Sequence, residues 1–155
     1  MLQLKGYVLA FFASAALLFA GMAHASSSGE QKQTFGDYEI HYMGLTSSFL
    51  KPDVAAAYGI ERSRSVGYLS ISILHNSADA ALPQSVAGSL TGTIKNLVGQ
   101  TRVLEFKEVR EQNSIYYIAT FKVDDEDMYT LNLKATPANQ SRTFDVKFSQ
   151  RFYHE

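Results

Sequence analysis

Three histidines, one run of carboxylates and one pair of arginines are where side-chain chemistry concentrates after residue 25 of this chain. His41, His75 and His154 form no His-x-x-x-His pairing, so a helical zinc site is absent. Asp124-Asp125-Glu126-Asp127 offers the hard oxygen donors that calcium prefers, but it lacks the spacing of a calcium loop and reads as a solvated turn. Gly88-Ser89-Leu90-Thr91-Gly92 has the outline of a nucleophile elbow, with leucine where the serine must stand. No glycine-rich phosphate loop occurs. The chain has no cysteine, which removes thiol catalysis, disulfides and cysteine-ligated metals together. These residues lead us to expect no enzyme, no metal site and no bound cofactor.

Arg62 and Arg64 ask for more thought, because on a strand they would share a face and could clamp a carboxylate or phosphate. Ion pairing to Glu61, Asp53 or the acidic turn is the structural alternative. They follow FLKPDVAAAYGI (49–60), which carries the marks of one short helix. Pro52 suits the first turn, Asp53 complements the positive end of the helix dipole, and Gly59 stands where a left-handed terminator is wanted. So short a helix does not persist alone in water, so packing must hold it through Phe49, Leu50, Val54, Tyr58 and Ile60. A receiving surface is visible in SIYYIATFKV (114–123), where Tyr116 and Ile118 make a second apolar face on a strand that already has one. The helix is expected to lie over Tyr116 and Ile118; the alternative leaves them as an exposed binding patch. Phe49, Tyr58, Arg62, Arg64 and Tyr116 are therefore the candidate binding residues.

The elements around them alternate with period two. Tyr38, Ile40 and Tyr42 share one side of their run, as do Leu69, Ile71 and Ile73, and as do Leu104 and Phe106. Tyr129, Leu131, Leu133 and Ala135 repeat the pattern, followed by Phe144, Val146 and Phe148. Val86 to Leu97 reads as a further strand, rich in glycine and hydroxyl residues. Turn chemistry separates the later runs, so residues 102–152 are expected to form a four-stranded antiparallel meander. The fold class expected is all-β with one short helix: a two-sheet antiparallel β-sandwich of immunoglobulin-like type with about seven strands. A small closed barrel is the alternative.

The N-terminus is read as a targeting segment. Lys5 precedes an uncharged apolar run, Tyr7 to Phe19, which is short for a membrane span, and Ala23-His24-Ala25 is a small-x-small cleavage site. We read residues 1–25 as a cleaved signal peptide, 26–33 as a flexible polar lead-in and 34–155 as one domain. Without Lys5 the chain has 13 basic residues against 15 acidic, so neither nucleic acid nor, after cleavage, a membrane surface is an expected partner. Export without cysteine suits a bacterial periplasm.

FLKPDVAAAYGIERS, GYLSISIL, NLVGQ and LEFKEVRE with IYYIATF together resemble an uncharacterised family of small exported proteobacterial proteins, a domain-of-unknown-function family. The resemblance covers nearly all of the chain after the leader. It implies a periplasmic β-rich domain without an established activity or catalytic residues. Three function classes follow from these readings: a module binding an envelope protein or peptide, a binder of a small apolar or anionic ligand beneath the helix, and an enzyme with an unrecognised residue set. The first is favoured, because edge strands and end loops are available and a catalytic set is not.

Overall fold

The computed structural model describes residues 30–124 and 127–153. Two antiparallel sheets face each other. The first has the order β1 (Glu30–Phe35), β2 (Tyr38–Thr46), β3 (Val66–His75), β8 (Ser114–Lys122) and β7 (Lys107–Glu111), with the two-residue β4 (Gln84–Ser85) paired to β3. The second has the order β10 (Phe144–Arg151), β9 (Met128–Pro137), β5 (Gly88–Lys95) and β6 (Thr101–Leu104). Neither closes into a barrel, and the expected sandwich is the observed fold. Between the sheets lie the inward positions that alternation marked, including Ile40, Leu69, Ile71, Ile73, Leu131, Leu133 and Val146, each no more than 1% exposed. Stacked rings of Phe35 on Phe144, 4.8 Å between centroids, and Tyr42 on Phe148, 4.0 Å, join the two sheets.

The C-terminal meander does not form. The chain leaves the second sheet after β6, makes the β7–β8 hairpin in the first, and returns for the β9–β10 hairpin in the second. Short turns fix antiparallel pairing within each hairpin, but the links at Glu105–Phe106 and beyond Lys122 change sheets. Strand count exceeds the expected seven for related reasons. Residues 101–111 hold two strands, β4 is too short to show periodicity, and β1 is polar enough to pass for a linker. The lead-in expected over 26–33 is thereby corrected: residues 30–33 pair with β2, with Glu30 opposite Met43 and Gln33 opposite Ile40.

Both sheets share two poles. At the first pole Val66 pairs with Lys122, Lys95 with Thr101 and Arg151 with Met128. Three bonds tie the elements together there. Thr46 Oγ1 donates to the Tyr153 carbonyl at 2.6 Å, the Val123 N–H to the Ser65 carbonyl at 3.0 Å, and Arg102 Nη2 to the Lys122 carbonyl at 2.6 Å. At the opposite pole the Tyr117 hydroxyl accepts from the Gly88 N–H and donates to the Gly88 carbonyl, both at 2.9 Å, linking β8 to β5.

The insertion between β2 and β3 folds as expected. After a single 3-10 turn at Ser47–Phe49, helix α1 spans Pro52–Tyr58, with proline in its first turn. It ends in a Schellman motif: the Gly59 N–H bonds the Ala56 carbonyl at 3.2 Å, the Ile60 N–H bonds the Ala55 carbonyl at 2.8 Å, and Gly59 has φ 66° and ψ 34°. The helix buries Ala55 and Leu50 against Tyr68 and Ile118 on the outer face of the first sheet, with Val54, Tyr58, Ile60 and Tyr116 packed around them. This second core explains the strand with two apolar faces.

Candidate functional site

Only half of that outer face is covered. Beyond the helix the side chains of β3 become small, Ser70 and Ser72, while β2 contributes His41 and Met43 and β8 contributes Ser114 and Tyr116. The result is a groove of about 300 Å³. Its position follows from the topology. The β3–β8 pairing stops at Ile71 opposite Tyr117, and β4 enters where the two strands part, with Ser85 accepting from the Ile115 N–H at 2.9 Å. Serines on the central strand lower the floor between the larger side chains of its neighbours.

One wall of the groove is anchored by charge. Glu39 Oε2 lies 2.8 Å from His41 Nε2, and the same carboxylate accepts from Asn76 and Lys32, each at 3.2 Å. Hydrogen bonding, from His41 first and then Asn76 and Lys32, pulls the Glu39 carboxyl down to about pKa 2. Behind Tyr116, in the second core, the Tyr58 hydroxyl donates to Glu111 Oε1 at 2.5 Å, and this bond pushes the Tyr58 phenol up to about pKa 12. The hydroxyl of Tyr68, under the helix, is also raised, chiefly by burial.

The structure divides the five candidate binding residues into two groups. Tyr58 and Tyr116 come together at the helix C-terminus beside the groove. Phe49 is 45% exposed on the 3-10 turn, and Arg62 reaches back to that turn, its Nη2 donating to the Ser48 carbonyl at 2.8 Å. Arg62 and Arg64 lie in the loop 59–65 rather than on a strand, so they share no strand face. Arg62 is held by a backbone carbonyl and not by Glu61 or Asp53. The loop ends at Val66, six residues along β3 from Ser72 beside Tyr116, or roughly 20 Å at strand rise. Tyr58 and Tyr116 thus belong to the second core, while Arg62 is bonded to the 3-10 turn.

Other expectations are also relocated. The space under α1 is filled by Leu50, Ala55, Tyr68 and Ile118, so the cavity lies beside the helix and not beneath it. His75 ends β3 and packs its ring on Tyr38, 4.6 Å between centroids. Asp124 and Asp127 close a turn at the first pole, while Asp125, Glu126 and His154 lie outside the described residues. The groove itself was missed. Its signal in the sequence was GYLSISIL, where serines alone occupy the outward positions between apolar ones.

Fold and groove together define a class: an antiparallel β-sandwich with a helix-flanked cleft on the outside of one sheet. The chain belongs to the DUF4426 family, a domain of unknown function, whose family model matches residues 32–155. A crystal structure of a DUF4426 family protein from Pseudomonas aeruginosa PAO1 is 30% identical, with TM-score 0.69, covering 82% of this chain and 97% of that one. The fold is also similar to FetP of uropathogenic E. coli strain F11, expressed in the periplasm of E. coli, at 13% identity and TM-score 0.59, covering 82% of this chain and 95% of that one. A copper-bound variant of the same FetP gives 13% identity and TM-score 0.58, with 82% and 97% covered. No curated protein matches the sequence.

Proposed function

We propose that this protein is an exported, non-enzymatic binding module of the bacterial periplasm, and that its groove receives a segment of an envelope protein or peptide. The observation that carries the reading is the groove itself. The outer face of a two-sheet sandwich ordinarily meets water with long polar side chains, whereas here serines on the central strand open a cleft between Tyr116 of β8 and a Glu39-anchored imidazole on β2. Its volume, about 300 Å³, suits one or two side chains of an extended segment more than a large cofactor. Ser70 and Ser72 offer hydroxyls, Met43 an adaptable apolar surface and Tyr116 a rigid ring that buries area at little entropic cost.

FetP in copper-bound form raises the question of a metal ion. His41 and Met43 are residue types that copper accepts, on alternate positions of one strand. Among the described residues no group of three histidines or carboxylates is placed to hold an ion. The groove lining supports the peptide reading through its hydroxyls and its tyrosine ring, and that reading is kept.

The test fills the groove. Ser72→Trp in tagged protein, crosslinked in periplasm, should lose the partners that wild type captures while melting within a degree or two of it. Equal capture by the filled variant would overturn the assignment and move attention to the sheet edges.

A further inference from the structure

β1, β7, β10 and β6 end the two sheets, and three of them are engaged across the sandwich. Gln33 of β1 donates from Nε2 to the Lys147 carbonyl of β10 at 2.9 Å, so those two edges meet. Arg102 of β6 is bonded to the Lys122 carbonyl in the first sheet. Among the described residues β7 has no strand beyond it. Its backbone phase follows from its neighbour β8. Ile115, which pairs with Arg110, turns its own polar groups away from β7. Its N–H donates to Ser85 Oγ at 2.9 Å, and its carbonyl accepts from that hydroxyl at 3.4 Å. Arg110 and Ile115 are therefore a non-hydrogen-bonded pair. The N–H and carbonyl of Arg110 point out to the open edge, as do those of Glu108 two positions earlier.

The sequence of that edge, KEVRE, is complementary to itself. Laid antiparallel on a second copy about a two-fold axis at Val109, it sets Lys107 opposite Glu111, Glu108 opposite Arg110 and Val109 opposite Val109. Opposite charges then face each other at every charged position. The backbone parity agrees, because the outward-pointing residues Glu108 and Arg110 fall opposite one another and exchange both N–H···O bonds. Charge on an edge strand ordinarily discourages pairing. Here it discourages the wrong registers: a slip that keeps the parity puts Glu108 against Glu108 or Arg110 against Arg110 of the second copy.

We propose that the protein pairs with a second copy of itself through β7, about a two-fold axis at Val109 normal to the sheet, so that the two first sheets become one. Helix α1 leaves room for the junction. It packs on Tyr68 of β3 and Ile118 of β8, behind the edge strand. β8 and its copy then stand three strand spacings apart, about 14 Å, where packed helices need only about 8–10 Å. Val109, half-buried at the margin of the second core, meets its counterpart in a non-hydrogen-bonded pair, where side chains come closest. Within each chain Arg110 Nε already bonds Glu108 Oε1 at 2.6 Å, so the junction brings two such pairs together with signs alternating. An edge of five residues is a small interface, which makes the dimer weak and concentration-dependent. The axis exchanges the edges and not the faces, so both grooves open on the same side of the joined sheet.

Protein expressed from the full chain and purified as the cell leaves it should sediment as a monomer–dimer equilibrium; a pure monomer at about 1 mM overturns the proposal. Arg110→Glu sets glutamate against Glu108 of the second copy, and Glu108→Arg sets arginine against Arg110. Each variant alone should associate at least about tenfold more weakly than wild type. Mixed in equal amounts, the two should pair with each other at least as tightly as wild type pairs with itself, because every opposed pair again differs in sign. Damage to the fold does not recover on mixing, and a mixture that stays monomeric overturns the assignment. The chain has no cysteine, so a single one reports the geometry directly. Val109→Cys places two thiols on Cα atoms about 4.5 Å apart and should oxidise to a covalent dimer. Lys107→Cys, about 13 Å along the strand from its counterpart, should not. No crosslink at position 109, or equal crosslinking at both positions, overturns the register and with it the proposal.

Discussion

Replacing Gly59 by alanine tests the helix that covers Tyr68 and Ile118. Gly59 has φ 66°, a conformation in which an L side chain is crowded by its own backbone. A Cβ built there meets nothing within 4 Å, so no steric clash with neighbouring residues adds to the cost. Left-handed backbone costs alanine about 1–2 kcal/mol, partly offset by the smaller entropy of alanine in the unfolded chain, leaving about 1 kcal/mol. For a domain of this size that lowers Tm by about 4 °C. Asparagine tolerates the same conformation, so Gly59→Asn should lose only about half as much. Differential scanning calorimetry of the two variants beside wild type decides the matter. Should alanine be neutral, the Schellman stop is not holding the helix; should asparagine cost as much as alanine, the penalty does not arise in the backbone.

Between pH 4.5 and 2 the protein should lose stability that Glu39→Gln has already given up: the folded-state pKa is depressed to about 2, so the contribution is present above the unfolded value and vanishes as pH falls, and acid melts of the pair should converge. Tyr58 runs the other way, with a folded value of about 12, so its contribution holds below pH 10 and fades between 10 and 12; alkaline melts should show that loss in wild type and not in Tyr58→Phe. Ile118→Ala, at a site 6% exposed under the helix, should cost about 3 kcal/mol in urea unfolding, and Tyr116→Ala less because its ring is only half-buried. Intact mass of the exported form should begin at Ser26; a mass that keeps residues 1–25 would contradict the signal-peptide reading.

The helix and its cover were legible because their determinants are local. Pro52, the alanine run and Gly59 specify α1 within seven or eight positions, and the doubled apolar pattern at Tyr116 and Ile118 announces a layer above the sheet. The meander failed because turn chemistry fixes direction but not sheet. Nothing local to Glu105–Phe106 tells the chain to cross from β6 in one sheet to β7 in the other. Similarly β1 is recruited by the free edge of β2, and its polar residues Gln31, Lys32 and Gln33 show no periodicity of their own. The groove was only half legible, in the serines of GYLSISIL, for a third reason. It arises from β3 and β8 parting and β4 entering between them, and that juxtaposition joins segments far apart in the chain.

The partnership of β3 with β8 has a consequence for how the chain comes into being. Delivered N-terminus first, from a ribosome or through an export channel, β1, β2 and β3 emerge as an antiparallel unit whose inner face is Tyr38, Ile40, Leu69, Ile71 and Ile73. The long edge of β3 then waits until residues 76–113 have followed and Ser114–Lys122 arrives to pair with it. The opposing sheet can begin with the β5–β6 hairpin but is completed only when β9 pairs with β5. A nascent three-stranded sheet with a bare edge and a bare apolar face is an aggregation hazard and a natural client for a holding chaperone. The order of pairing therefore leaves the β3 edge and the apolar face of the first sheet uncovered until Ser114–Lys122 and Met128–Pro137 have been delivered.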